Sequence, residues 1–390
     1  MSQDAVAQAI GINRVVLSYY ESGSRAPSLP VVAALARLYG LTVTQLTESA
    51  EPTSEVSIDP SQILFRSSTL KEHSESAILA FSSYVREYSR LLRETGQEIP
   101  GKGQTPFEPV PTRAPRKQAA RLARELRRYL GLGSGPIGNL FSLADDYLLI
   151  FRLPLGDLER GPSGFFYNHP EVGFCVVVNS NMDRGRQLFT LAHETAHAYF
   201  HSKEADWVVS GPNGVVGQEV FANAFASEFL VPADALAKAM DESDLWNKLS
   251  DPASAIHLQQ YFSVSYHFML IRLYQEGLIE EALYERLKLV SPVRLARALG
   301  YRVEAAETAD GLADPLERFP NRMLRLVRKA IADGVLSRGA AGEILGVSLH
   351  DVLELEAEPE VTDPAARKRL RQMERAVLGP DQSQGMPKKR

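Results

Sequence analysis

Apolar positions recur at helical spacing through most of the chain, and runs that read as strands are short. Near the start, Val6, Ala7, Ile10, Ile12 and Leu17 mark two short helices, the first around Ala5 to Ala9 and the second from Asn13 to Glu21, with Gly11 at the turn between them. Ser61 to Glu94 carries Leu64, Leu70, Ile78, Phe81, Val85, Tyr88 and Leu91 at helical intervals, and the segments on either side are rich in Pro, Gly and Thr. From Arg113 to about Leu289 lies the longest well-patterned region, which includes a basic amphipathic helix, the apolar run Phe174 to Val178, and several further helices. Weaker helical patterns continue to about Glu358. The pattern therefore divides into 1–48, a compact helical module; 49–112, a helical connector and linker; 113–290, the body; 291–360, a helical C-terminal region; and 361–390, a basic mobile tail. The expected class is α+β, predominantly helical, and a length of 390 residues fits two or three domains at roughly 150 residues each.

Composition narrows the function classes. Hydrophobic residues at 44%, charged residues at 23% and a formal charge of −5 exclude wholesale disorder and a histone-like basic protein. The single cysteine, Cys175, sits inside an apolar run, which excludes an intramolecular disulfide and a Cys-rich metal cluster and suits a reducing cytoplasm. No window approaches the roughly 18 consecutive apolar residues of a membrane span, and MSQDAVAQAI lacks the features of a signal peptide, so no membrane partner is expected. Charge is locally uneven. Residues 113–128 hold seven Lys or Arg against Glu125 alone, and Ala119, Leu122, Leu126 and Leu130 leave those cations to an expected solvated face.

The strongest chemical signal is RQLFTLAHETAHAYFH. There His193, Glu194 and His197 form a His-Glu-x-x-His pattern on an expected helix. Positions i and i+4 lie about 40° apart and one turn up, so both imidazoles can face one ion. Glu194 falls about a quarter-turn aside, where it reaches water at the metal rather than the metal itself, the position of a general base. A catalytic zinc usually takes three protein ligands. The candidates for the third are His201, a further turn along and displaced from the first two; Glu219, which opens the following helix; and Glu228, near that helix's other end.

The stretch from Ala119 to about Ile279 resembles the ImmA/IrrE-type metallopeptidases. The likeness rests on AARLARELRRYLGLGSGPIGNLFSLADD, the strand VVVN, RGRQLFTLAHETAH, the E-x-x-A-N-x-F-A pattern at Glu219 to Ala226, and LVP at 230–232. The resemblance implies a zincin-like fold with a small sheet over the active-site helix. It also implies His193, His197 and Glu219 as ligands of zinc, with manganese as the other metal, Glu194 as the catalytic glutamate, and limited proteolysis of a DNA-binding repressor. The expected chemistry is zinc-polarised water attacking a peptide carbonyl, with Glu194 relaying the proton. One departure is Thr195-Ala196-His197, where many relatives have Leu-Gly-His.

Residues 1–46 are similar to the xenobiotic-response-element type of helix-turn-helix, through Gln3, Gly11, Glu21, Gly23, Arg25, Pro27-Ser28 and Ala34-Leu35-Ala36. Relatives carry another helix before the position of Gln3. On the second helix Asn13, Arg14, Val15, Ser18 and Tyr19 are the expected reading positions, with Arg14 suited to a guanine edge, Val15 to a thymine methyl, and Gln3 to phosphates. Two further two-helix turns read as structural: 257–279, with Ser265 as cap and His257 and His267 as packing or surface residues, and 330–355, with Gly346 at the turn and Ser348 as cap. The expected whole is a cytoplasmic, DNA-binding transcriptional regulator with a zinc metallopeptidase domain. It would act in a stress or mobile-element switch on its own promoter or another operator and on a protein substrate such as a helix-turn-helix repressor, with homodimerisation as the usual device for reading two half-sites. The competing readings make the metal domain a non-proteolytic ligand or metal sensor, or make the N-terminus a docking module of a free protease.

Overall fold

The computed structural model describes residues 3–39, 43, 46, 74–97, 107–111, 116–145, 147–156, 161–202, 207–209, 216–301 and 314–357. The expected tail 361–390, the first part of the Ser61–Glu94 helix and most of the Pro-rich linker lie outside the described residues.

Three helices open the chain: α1 Gln3–Ala9, α2 Arg14–Glu21 and α3 Leu29–Tyr39. Gly11, at φ 69°, makes the turn between α1 and α2 in a left-handed conformation that a side chain disfavours. Val6, Ala7, Leu17 and Leu35 form their small core. Next come α4 Glu75–Glu94, α5 Arg116–Tyr129 and the short α6 Leu140–Ala144, then strands β1 Leu149–Leu153, β2 Gly164–His169 and β3 Gly173–Asn179. The long helix α7 Arg184–Phe200 is followed by β4 Trp207–Val209, α8 Val216–Leu230, α9 Ala233–Glu242, α10 Pro252–Phe262, α11 Tyr266–Gln275, α12 Glu281–Lys288 and α13 Pro292–Ala298. After a single 3₁₀ turn, Pro315–Arg318, the described chain ends with α14 Asn321–Ala332, α15 Arg338–Leu345 and α16 Leu349–Ala357. The protein is α+β and predominantly helical, as its periodicity indicates.

The sheet has four strands in the order β1-β3-β2-β4. β1 runs parallel to β3 with Leu149 opposite Cys175, β2 runs antiparallel to β3 with Gly164 opposite Val178, and β4 pairs antiparallel with β2. Every residue of β3 is buried, so the strand has no polar face to give to solvent. Alternate side chains therefore enter two separate cores. Ile150, Phe166, Phe174, Val176 and Val178 face the core built by α5, α7, α8, α10 and α11. Leu149, Phe151, Leu153, Phe165, Cys175 and Val177 face a second core, closed by α4 and α14–α16.

The helix at 75–94, expected within a connector, is thus a layer of the body. Its Phe81 ring sits edge-on against Phe151 at 5.5 Å and Phe165 at 5.4 Å between centroids. α3 of the N-terminal module in turn packs against α4. Asn179, fully buried at the end of β3, ties the loops together: its Oδ1 accepts from the N–H groups of Leu155 and Asn181, and its amide donates to the Pro162 carbonyl.

The expected solvated face of α5 holds for most of its length, the half-exposed Arg124 included, and fails at Arg127. Arg127 is 2% exposed and donates to the carbonyls of Gly133, Gly135 and Phe229. Burial lowers its pKa to about 10, so it stays charged at neutral pH. Arg124 pairs at 2.6 Å with Glu228, which also meets Arg272 at 2.5 Å. Helical periodicity places Arg127 off the apolar stripe, but the loop carbonyls of Gly133 and Gly135 and the Phe229 carbonyl of α8 meet it there, while the exposed Arg124 reaches Glu228 on the same helix. One stretch, Val216–Glu242, is long and apolar enough to cross a membrane; 67% of its most apolar window is buried inside the protein, as befits core helices.

A fragment cut to residues 113–290 would lose α4 and α14–α16 and bare one whole face of the sheet. It is expected to aggregate or to bind a hydrophobic dye strongly, whereas the full chain does not. A monomeric fragment with a cooperative unfolding transition would contradict the two-core description.

Candidate metal centre

α7 starts on Asp183, whose carboxylate accepts from the Arg186 N–H at 2.9 Å, and it runs under the sheet with its second half wholly buried. α8 packs along it. Phe221, Phe225 and Phe229 point into the shared core, and Glu219 and Asn223, one turn apart, face the histidines. His193 Nε2 lies 3.3 Å from Glu219 Oε2, His197 Nε2 lies 3.5 Å from Glu219 Oε1, and the two Nε2 atoms are 3.1 Å apart. One ligand atom from each of the three residues falls within 4.8 Å of the others. Glu194 is fully buried beside them.

Electrostatics follow from this crowding. Burial disfavours charge on His193, but hydrogen bonding to Glu219 and the charges of Glu194 and Glu219 outweigh it and raise its pKa. Burial pushes His197 down to about 4 and His201 down to about 3. Burial alone would raise Glu219, yet hydrogen bonds with His193 and His197 bring it down to about 2. Two imidazoles and an anionic carboxylate thus converge in a site shielded from water.

The competing third candidates are placed elsewhere. Glu228 is 3% exposed and held by Arg124 and Arg272. His201 turns its Nδ1 to the Nδ1 of His197 at 3.0 Å, on the side away from Glu219. His257 joins Ser243 to Tyr301, at 2.9 and 2.8 Å, as a packing residue. Ala196 is fully buried in the apolar core. Three residues without an assigned role in the sequence reading also matter here. Asn223 Oδ1 stands 3.1 Å from His193 Nδ1. Thr190 lies one turn before Glu194, and Gly164 opens β2 above both. Asn223 was findable at i+4 from Glu219; Gly164 was not, because its contact is made across the sheet.

Beside the cluster opens a groove of about 940 Å³ lined by Met182, Phe189, Thr190, Asn223, Phe268 and Ile271, among others, with Arg116 and Lys117 also on its wall. Residues 149–274, which hold the sheet, both histidines and Glu219, match the family model of the IrrE N-terminal-like domain. Residues 1–46 match a helix-turn-helix family model. No curated protein matches the chain. The IrrE-like match begins at β1 and ends in α11, so it contains the groove walls from α7, α8 and α11 and excludes the helices that close the second core.

In the helix-turn-helix, Arg14, Val15 and Tyr19 are exposed on α2, Val15 at 56%, and Ser18 is half-buried. Arg14 meets Asp4 at 3.5 Å between groups more than half exposed, an ion pair worth little and easily exchanged for a phosphate or base. Asn13 caps α2 by accepting from the Val15 N–H at 2.8 Å, and the Gln3 amide donates to Glu21. These two side chains therefore already serve the module's own frame.

A methyl added at Gly164 would stand 2.6 Å from the Val177 carbonyl oxygen, 2.7 Å from Thr190 Cγ2 and 3.5 Å from Glu194 Oε1. Gly164→Ala is expected to lower stability by about 1–3 kcal/mol, read from the urea midpoint, because backbone and helix must part to admit it. An unchanged midpoint would contradict this packing.

Proposed function

We propose that the protein is a cytoplasmic, DNA-binding transcriptional regulator whose IrrE-like domain is a zinc-dependent endopeptidase acting on a protein substrate, of which a helix-turn-helix repressor is the leading candidate. The observation that carries this reading is the convergence of His193, His197 and Glu219 with Glu194 at their side. Two imidazole nitrogens and one carboxylate form a donor set suited to zinc, with manganese the alternative, and three protein ligands leave a position open for chemistry. Glu219 Oε1 is buried and stands 3.5 Å from His197 Nε2, a separation that a cation held by both would bridge. A bound zinc would supply Lewis acidity to water and to the scissile carbonyl.

The chain's own residues do the rest. Glu194 accepts a proton from the attacking water and delivers it to the leaving amine. Asn223 orients His193. The groove beside Thr190 and Asn223 receives an apolar substrate side chain next to the scissile bond, between Phe189, Met182, Phe268 and Ile271, while Arg116 and Lys117 on its wall favour an acidic flank. The catalytic body, on this reading, is the IrrE-like domain together with α4 and α14–α16, and α1–α3 form the separate reading head. Arg14, Val15, Ser18 and Tyr19 address the major groove, two such heads in a homodimer reading two half-sites of the protein's own promoter or another operator.

Two experiments test the two halves. Elemental analysis should find about one zinc per chain in the wild type and in Glu194→Gln, and a large loss in Glu219→Ala, while Glu194→Gln cuts cleavage of the repressor by roughly 10²- to 10⁴-fold. Regulation and cleavage that survive Glu194→Gln would remove the peptidase role and leave a sensor. In a gel shift at its own promoter, Arg14→Ala should weaken specific binding by roughly 10- to 100-fold while leaving salt-sensitive, sequence-blind binding largely in place. Equal loss on unrelated DNA would make Arg14 a phosphate contact only.

A further inference from the structure

α7 bears a third histidine one turn beyond the pair. His201 caps the helix, its N–H donating to the His197 carbonyl at 2.9 Å. Its ring is fully buried and packs edge-to-face on Phe221 at 5.2 Å between centroids. It lies outside the group of converging ligand atoms, and its Nδ1 faces the Nδ1 of His197 at 3.0 Å. Two neutral imidazole nitrogens at that distance share one proton: one donates and the other accepts.

The other end of His197 decides which. A nitrogen that offers its lone pair to a cation carries no proton, so with Nε2 in the cluster His197 must be protonated on Nδ1. That N–H then donates to His201 Nδ1, and the proton of His201 is confined to Nε2, which has no hydrogen-bond partner among the described residues. The reverse arrangement, with His201 donating, places a proton on His197 Nε2, pointing at Glu219 and His193 and blocking the lone pair. Asn223 plays the matching part for His193, whose Nδ1 is 3.1 Å from Asn223 Oδ1.

We propose that His201 is a positioning residue for the metal centre: by accepting from His197 Nδ1 it fixes the tautomer and ring orientation in which His197 can bind a cation. This rests on the metal reading above. It accounts for a polar ring held in a core where leucine or phenylalanine would fill the space without an orphaned nitrogen.

The test separates acceptor from filler. Oδ1 of an asparagine stands two bonds from Cβ, as Nδ1 of histidine does, so His201→Asn keeps an acceptor facing His197, while His201→Leu and His201→Phe fill the space without one. Zinc affinity of the full chain is measured by competition with a chromophoric chelator, and folding of each variant by thermal melts. Leu and Phe should weaken zinc binding roughly 10- to 100-fold, and Asn by no more than about threefold. In zinc-loaded protein with ¹⁵N-labelled histidine, His201 should be protonated on Nε2. Wild-type affinity in either folded apolar variant, a loss in Asn equal to that in Leu, or a proton on His201 Nδ1 would overturn the proposal. Failure of the wild type to take up any zinc would overturn it together with the metal reading.

Discussion

Strand β3 has apolar residues on both sides and water on neither. Phe174, Val176 and Val178 can be buried only if something covers one face of the sheet, and Cys175 and Val177 only if something else covers the other. At roughly 1.5–3 kcal/mol for each large apolar side chain buried, a bare face would forfeit more than the whole net stability of an ordinary domain. The chain meets this constraint by folding segments from before and after the IrrE-like match onto one side, α4 and α14–α16, and the helices that carry the candidate site onto the other. The position of α7 follows, and with it the position of every residue in the candidate site.

Polar groups buried around α7 and α8 would be costly in so apolar a setting were they not mutually satisfied. Arg127 gives its guanidinium to three carbonyls, and Glu228 is shared by Arg124 and Arg272, so that α5, α8 and α11 are locked together around the groove. The histidines and Glu219 are satisfied less completely. That contrast between a closed ionic lattice and an open donor cluster a few turns away separates framework from site. The N-terminal helices are joined to this framework, since α3 packs on α4 and α4 packs on the sheet whose other face holds α7.

Much of the site was legible from spacing. His193 and His197 at i and i+4, and an acid opening the next helix, needed only the helical repeat and the ligand habits of zinc. The caps at Ser265 and Ser348 and the turn at Gly346 also appear where their side-chain chemistry indicated. What spacing could not reveal were relations made across the fold. The helix at 75–94 reads as part of a connector because its apolar stripe names no partner; yet the unbroken apolar run at 174–178 already implied a second cover. Arg127 reads as solvated because an amphipathic wheel assigns every cation to water, and only the fold brings up the carbonyls of Gly133, Gly135 and Phe229 that receive it. His201 is one turn from His197, but that its Nδ1 faces the Nδ1 of His197 is a relation only the fold displays.

Every role proposed for the site requires that two histidines of α7 and a carboxylate of α8 hold one cation. Zinc-edge X-ray absorption on the full chain loaded with one equivalent of zinc tests it most directly. The expected spectrum carries the multiple-scattering signature of two imidazoles with oxygen completing the shell, reduced or lost in Glu219→Ala. A shell of oxygen alone, a sulfur contribution from Cys175, or a spectrum indifferent to Glu219 would contradict it.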